Sequence, residues 1–286
     1  QPQPSSGARD DPFRIGGHTL SSRLILGSGK YDSFEIMQAS IEASETDCVT
    51  IAVRREKLHD SSGRNILDYL AVERLLLLPN TSGCYDADTA VRCARMGREI
   101  LKGLENPGAD WVKLEVLGDS KSLLPDTFET LRATEKLVSE GFQVLCYSND
   151  DPIVARRLQE AGACSVMPAG SPIGSGLGIN NPLNLQLIVE ELKRVDPDFP
   201  IIVDAGIGSP SDAALALEMG ADGVLLNTAV ARAADPVGMS VAMKHGVQAG
   251  RLSFLSGRMA KSKYGSASSP EHGLIAERNP GCNRQT

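Results

Sequence analysis

The stretch FPIIVDAGIGSPSDAALALEMGADGVLLNTA, residues 199–229, decides the fold, because it contains an apolar strand, a helix and a second apolar strand. The first apolar run ends at Asp204. A helix is predicted over residues 209–219, with Pro210 at its first position, where a missing N–H costs nothing. Both apolar runs lack the alternation of a half-exposed sheet. The stretch therefore predicts a βαβ unit with parallel strands buried on both faces.

The same unit recurs along the rest of the chain. Six earlier apolar runs are predicted strands, with the third expected to stop at Pro79: residues 23–29, 48–53, 74–83, 110–116, 142–147 and 164–168. Helical segments follow the strands at residues 33–43 (with Ser33 as N-cap), 66–71, 86–104, 124–139, 152–161, 182–194 and 209–219, and a last one spans 236–249. Eight strand–helix repeats predict an α/β fold, a single (β/α)8 TIM barrel with parallel strands. A doubly wound sheet is the alternative.

The ends of the chain differ in composition from the body. Residues 1–12 are rich in Pro, Ser and Gly and are expected to be disordered. Residues 13–251 are assigned to the barrel. The polar, Gly/Ser-rich residues 252–286 are expected to form a tail that packs partly on the barrel.

Composition excludes several classes of function. The 286 residues are 41% hydrophobic and carry a formal net charge of −7, which disfavours nucleic acid as a partner. No apolar run reaches the length of a membrane span, and the N-terminus lacks the apolar core of a signal peptide. A cytoplasmic protein is therefore expected. The six cysteines form no C-x-x-C pair and the four histidines are scattered, so buried thiols, no metal and no cofactor are predicted.

Glycine-rich and polar loops follow the later strands, at the end of the barrel where active sites lie. Residues 168–178, PAGSPIGSGLG, hold five glycines. Ala205 and Gly206 follow the seventh strand, and Asn227 and Thr228 follow the eighth. Loops after strands seven and eight often bind phosphate, so a phosphorylated ligand is predicted. A merely flexible glycine loop is the alternative.

Two charged residues interrupt the predicted strand DWVKLEV at residues 110–116. The period of two places Lys113 and Glu115 on the face that points into the barrel. Desolvation there is expected to lower the pKa of Lys113, giving a neutral amine that forms an imine with a carbonyl substrate, although Glu115 opposes that shift. With Asp204 across the barrel mouth, two carboxylates suit proton transfer at the adjacent carbon. A structural ion pair is the alternative.

Several motifs resemble those of the bacterial thiazole synthases, the enzymes that build the thiazole phosphate of thiamine. They are GSGKY (27–31), LLPNTSG (77–83), DWVKLEV, MPAGSPIGSGLGI (167–179), the 201–229 block and SSPEHGL (268–274). The resemblance implies the substrates 1-deoxy-D-xylulose 5-phosphate and dehydroglycine, a small sulfur-carrier protein with a C-terminal thiocarboxylate, and a homo-oligomer. It places the Schiff-base lysine on Lys113, the acid/base carboxylates on Glu115 and Asp204, and the sugar-phosphate contacts on Gly174, Ala205, Gly206, Asn227 and Thr228.

The resulting hypothesis is a sulfur-incorporating, ring-forming synthase. Lys113 adds to the C2 ketone of the sugar phosphate and a carboxylate moves protons to shift the carbonyl to C3; sulfur, dehydroglycine and loss of water then complete the ring. The residues leave the choice of base between Glu115 and Asp204 open. Two other functions are compatible with the same residues: a class I aldolase acting on a phosphorylated sugar, and a non-catalytic sugar-phosphate-binding barrel.

Overall fold

The computed structural model describes residues 11–53, 63–266 and 268, and most of them form one barrel. Eight parallel strands pair in the order β8-β7-β6-β5-β4-β3-β10-β9. Parallel bridges between Val166 and Ile201 and between Ala169 and Asp204 join β8 to the β9 segment. The predicted (β/α)8 barrel is confirmed. The strands are β3 Leu24–Gly27, β4 Cys48–Ala52, β5 Leu76–Asn80, β6 Trp111–Leu114, β7 Gln143–Ser148, β8 Ser165–Pro168, β9 Ile202–Asp204 and β10 Gly223–Leu226.

Helices follow the strands as the sequence predicts. They are α1 Phe34–Ser44, α2 Ala87–Gly103, α3 Thr127–Ser139, α4 Pro152–Glu160, α5 Pro182–Val195, α6 Pro210–Glu218, α7 Thr228–Ala231 and α8 Pro236–Ser256, with short 3-10 helices at Ile66–Tyr69 and Pro107–Asp110. Ser33 caps α1 by accepting from the N–H of Ile36, and Pro210 begins α6, both as predicted. No helix within the described ranges is long and apolar enough to cross a membrane.

Two predicted boundaries are wrong. Strand β5 runs through Pro79 to Asn80 instead of stopping at the proline. Pro79 lies opposite Ile51 in β4, while the ladder to β6 contains only the pair of Asn80 with Lys113, so the missing N–H of the proline is tolerated. Helix α8 continues past residue 249 to Ser256.

A short antiparallel hairpin, which the sequence analysis did not predict, precedes the barrel. Its strands β1 Phe13–Ile15 and β2 His18–Leu20 are joined by Gly16 and Gly17, both with positive φ, as a two-residue hairpin turn requires. The buried side chains of Phe13, Ile15 and Leu20 belong to the apolar cluster that fills the barrel interior. The hairpin therefore completes the core at the end of the barrel where the strands begin.

The strand β6 shows the two-sided burial that a barrel requires. Val112, Leu114 and the following Val116 pack in the cluster shared with helices, whereas Trp111 belongs to the interior cluster. The Nε1–H of Trp111 donates to the carbonyl oxygen of Gly16 at 3.2 Å, which ties β6 to the hairpin. The period-two interpretation of DWVKLEV is confirmed for these residues.

The chain divides into two compact units, residues 1–256 and 257–286. The barrel and its hairpin lie in the first unit. The described part of the second unit, residues 257–266 and 268, contains no helix or strand. Residues 1–10 and 269–286, with the SSPEHGL motif beyond Ser268, lie outside the described residues, so the expected disorder and tail packing stay predictions.

Candidate active site

A cavity of about 1200 Å³ opens at the carboxyl ends of the barrel strands. It is lined by every residue that the sequence analysis singled out: Lys113, Glu115, Gly174, Asp204, Ala205, Gly206, Asn227 and Thr228. These residues come from the ends of β6, β9 and β10 and from the glycine-rich loop after β8. The candidate catalytic residues and the candidate anion-binding residues therefore share one cavity, as the barrel topology predicts.

Lys113 lies between two carboxylates at the bottom of this cavity. Its Nζ atom is 2.7 Å from Oδ2 of Asp204 and 3.7 Å from Oε2 of Glu115. All three side chains are buried, with exposed fractions of 7%, 5% and 6% for Lys113, Asp204 and Glu115 respectively. The arrangement gives the buried ammonium of Lys113 two carboxyl partners.

The pKa of Lys113 is shifted opposite to the expectation. Burial acts to lower the pKa of the Lys113 ammonium, but the charges of Asp204 and Glu115 outweigh burial and hold the pKa above its ordinary value. Burial raises the pKa of Glu115, Lys113 opposes that effect, and the negative charge of Asp204 adds to it. The two carboxyl groups thus favour the ammonium form of Lys113, and burial favours the protonated form of Glu115.

The end of β5 fixes the position of Glu115. The hydroxyl of Thr81 accepts from the N–H of Glu115 at 2.8 Å and donates to its carbonyl oxygen at 2.7 Å. The N–H of Thr81 in turn donates to the carbonyl oxygen of Lys113 at 3.2 Å. Thr81 therefore replaces the missing strand pairing just beyond β6. The sequence NTSG, at the end of β5, could have indicated that Thr81 belongs to the site, since polar residues directly after a strand lie at the end of the barrel that contains the cavity.

Apolar side chains surround the charged centre. Leu117, Tyr147, Ala169 and Ala205 form a small buried cluster. The Nζ atom of Lys113 lies 5.6 Å from the centre of the Tyr147 ring, within the range of a cation–π contact. Burial and the charges of Asp204 and Glu115 raise the pKa of the Tyr147 phenol. The low polarity of these walls strengthens the ion pairs inside the cavity.

The predicted anion-binding residues meet around the loops after β8 and β9. Ala205 and Gly206 both have left-handed backbones, with φ of 65° and 78°, and the N–H of Gly178 donates to the carbonyl oxygen of Gly206 at 2.8 Å. A Cβ at Gly206 would collide with the side chain and backbone of Ser171, so only glycine fits there. A Cβ at Gly174 would lie 3.7 Å from the hydroxyl of Thr228, which places the glycine loop beside the β10 end.

The beginning of α6 offers fewer free donors than expected. The N–H groups of Gly208 and Ser209 both donate to Oδ2 of Asp212 at 3.0 Å, which completes a capping box. These donors are already paired within the chain. The Ala205–Gly206 turn, Gly174 and the Asn227–Thr228 pair are then the better candidates for contacting an anion.

Other cavity residues were not predicted as site residues. They are Ser28, Lys30, Tyr31, Thr50, Asn80, Ser82 and Arg232, among others. The available signal was their position after β3, β5 and β10, within β4 (Thr50) or at the end of β5 (Asn80). The hydroxyl oxygen of Tyr31 and Oδ1 of Asn227 are buried without a hydrogen-bond partner among the described residues. Buried polar atoms without partners are uncommon, and they mark this side of the cavity as polar.

Comparisons with known proteins agree with this geometry. Residues 14–270 match the family described as "Thiazole biosynthesis protein ThiG". A relative from Rhodopirellula baltica named thiazole synthase is 59% identical over 269 residues, covering 94% of each chain. A thiazole synthase from Solibacter usitatus is 56% identical and covers 93% of this chain and 98% of its own length.

A solved structure shows the same fold at lower identity. The crystal structure of the Amycolatopsis orientalis BexX/CysO complex has a matching chain with a TM-score of 0.75 and 31% identity. The match covers 89% of this chain and 100% of that chain. From the family match and the long, highly identical relatives, we conclude that the chain belongs to the ThiG family of thiazole synthases.

Proposed function

We propose that this enzyme forms the thiazole phosphate of thiamine from 1-deoxy-D-xylulose 5-phosphate, dehydroglycine and sulfur from a thiocarboxylated carrier protein, through an imine on Lys113. The observation that carries the proposal is the position of Lys113. A buried lysine within 2.7 Å and 3.7 Å of two carboxylates occupies the bottom of the cavity in a chain 59% identical to a thiazole synthase. Imine chemistry needs an amine nucleophile and nearby groups that move protons.

The geometry supports different roles for the two carboxylates. Asp204 is the closer partner of the Lys113 ammonium and is placed to take its proton when the C2 ketone arrives. The neutral amine then adds to the ketone, and loss of water gives the imine. Glu115, whose pKa is raised by burial, is suited to exchange protons with the carbon next to the imine. Removal of a C3 proton and reprotonation move the carbonyl to C3.

Sulfur addition and ring closure follow in this proposal. The thiocarboxylate of the carrier adds its sulfur to the C3 carbonyl, and the carrier leaves as a carboxylate that takes the C3 oxygen. Dehydroglycine supplies the remaining ring carbon and the nitrogen, which displaces the Lys113 amine from C2, and loss of water completes the ring. The BexX/CysO structure is a complex of two proteins, which supports a partner for this chain. The family resemblance identifies that partner as a small sulfur-carrier protein. A homo-oligomer is part of the same proposal.

The phosphate of the sugar is assigned to the other side of the cavity. Gly174, Ala205, Gly206, Asn227 and Thr228 surround its binding site in the proposal. Two left-handed residues in succession allow backbone N–H groups to converge on an anion. Strand β10 lies four positions round the barrel from β6, so a phosphate near Asn227 sits opposite Lys113 and an extended sugar chain spans the cavity between them.

Borohydride trapping tests the proposal. The enzyme is incubated with 1-deoxy-D-xylulose 5-phosphate, reduced, digested and mapped by mass spectrometry, and the adduct is expected on Lys113. The variant Lys113→Arg keeps the positive charge and is expected to give no adduct. No adduct in the wild-type protein, or an adduct on another lysine, contradicts the imine mechanism. Turnover that releases two carbon fragments without a carrier protein supports the aldolase instead.

A further inference from the structure

Some of the charged side chains that line the cavity form ion pairs with one another, and others do not. Among the described lining residues, the cations are Lys30, Lys113 and Arg232, and the anions are Glu115 and Asp204. Lys113 is fully engaged by both carboxylates. The buried centre therefore has no cation that is free to attract a phosphate dianion. Attraction of such a ligand has to come from Lys30 and Arg232.

Lys30 and Arg232 lie in neighbouring sectors of the cavity mouth. Lys30 follows β3 and Arg232 ends α7 after β10, and these two strands are paired, with Leu226 opposite Leu26. Both side chains are exposed. Neither side chain makes a hydrogen bond or an ion pair with another residue in the described part of the chain.

The backbone at Lys30 is unusual. Lys30 has φ of 69°, in the left-handed region that is strained for a residue with a Cβ. Such conformations persist where the surrounding structure enforces them, and they are concentrated at ligand-binding sites. The turn that carries Lys30 follows Gly27, whose α-carbon packs so closely on Asn227 that an added Cβ would lie 2.6 Å from the Asn227 Cβ. This contact connects the Lys30 loop with the proposed phosphate residues.

We propose that Lys30 and Arg232 form a cationic rim that attracts and holds the phosphate group of the substrate at the mouth of the cavity. This inference rests on the proposed function, since it names further residues of the same site. The rim supplies the positive charge that Lys113, engaged by Asp204 and Glu115, does not offer to a phosphate, and it orients the sugar with its ketone toward the lysine. Charges at a cavity mouth raise association rates by about 10-fold or more, and their effect falls with salt.

The test compares phosphorylated and unphosphorylated ligands. Lys30→Gln, Arg232→Gln and the double variant are assayed by borohydride trapping with 1-deoxy-D-xylulose 5-phosphate and with 1-deoxy-D-xylulose. We expect each single variant to raise the half-saturating concentration of the phosphorylated sugar about 5-fold and the double variant about 25-fold. The unphosphorylated sugar should be unaffected. The control Arg14→Gln removes an exposed cation from the hairpin and should change neither value.

Two results would overturn the rim. One is an unchanged half-saturating concentration in the double variant, and the other is an equal loss for both sugars, which would indicate a structural role. Inorganic phosphate tests the rim separately from the imine chemistry. Phosphate should raise the Tm of the wild-type protein, and of Lys113→Arg, more than chloride does at matched ionic strength, and the double variant should lose most of that increase. This readout stands even if no adduct forms on Lys113, and an equal phosphate shift in the double variant contradicts the rim.

Discussion

The Nζ atom of Lys113 lies 2.7 Å from Oδ2 of Asp204, although their strands β6 and β9 are separated in the barrel by β7 and β8. The contact crosses the barrel interior, so it joins two sides of the sheet that no backbone hydrogen bond connects. Glu115, on the strand of the lysine itself, is farther away at 3.7 Å. Asp204 is therefore the principal ionic partner of Lys113, and in the proposed function Glu115 is the group that carries the proton.

The first prediction is that removing the charge of Asp204 and that of Glu115 lowers the free energy of unfolding by different amounts. Asp204→Asn should lower the free energy of unfolding by about 3 kcal/mol, because it weakens a short, buried ion pair. Glu115→Gln should lower it by less than about 1 kcal/mol, because glutamine resembles the protonated form that burial already favours. Urea unfolding of the three proteins at pH 7 measures both values. A larger loss in Glu115→Gln than in Asp204→Asn would reverse the assignment of roles.

The second prediction is a pH dependence of stability that comes from Glu115. The pKa of Glu115 is raised in the folded protein, so the folded state keeps this proton after the unfolded chain has released it near pH 4.3. The stabilisation is complete below that pH and is lost as the pH rises through the folded pKa. The Glu115→Gln variant does not lose this stabilisation, because glutamine does not titrate. The free energy of unfolding of Glu115→Gln, relative to wild type, should therefore increase from pH 5 upward, and a decrease would show that the pKa is lowered instead.

The third prediction concerns the turn after β9. Gly206→Ala should destabilise the protein by about 3 kcal/mol, the sum of left-handed strain and a collision with Ser171. Gly141→Ala is the matched control, because Gly141 has φ of 76° but nothing within 4 Å of an added Cβ. It should cost only about 1 kcal/mol. Thermal and urea unfolding measure the difference, and equal losses would mean that Ser171 moves aside without cost.

The positions of the candidate site residues could be predicted from the sequence because they depend on strand periodicity. A period of two fixes which side chains point into a barrel, so Lys113 and Trp111 could be placed inside and Val112 and Leu114 outside. Active-site loops in this fold follow the strands, which located Asn227 and Thr228 from their position alone. Neither inference requires knowledge of distances.

Distances and competing charges could not be predicted in the same way. The direction of the Lys113 pKa shift depends on whether two carboxyl groups outweigh burial, and this depends on how closely Asp204 and Glu115 approach the lysine. The contacts of Thr81 with Glu115 could not be predicted for a similar reason, since they depend on how the segments after β5 and β6 are arranged. The hairpin was missed because three-residue strands are too short to show a period.

The last prediction concerns that hairpin and separates stability from chemistry. Ile15 is 1% exposed and packs in the interior cluster, so Ile15→Ala should lower the free energy of unfolding by about 3 kcal/mol. Thr19→Ala, an exposed change in the same hairpin, should stay within about 0.5 kcal/mol of wild type. Because the hairpin lies at the opposite end of the barrel from Lys113, the extent of borohydride trapping per folded molecule should be unchanged in both variants. A loss of trapping in folded Ile15→Ala would mean that packing at this end of the barrel controls the position of Lys113. An Ile15→Ala protein as stable as wild type would show that the hairpin is not part of the core.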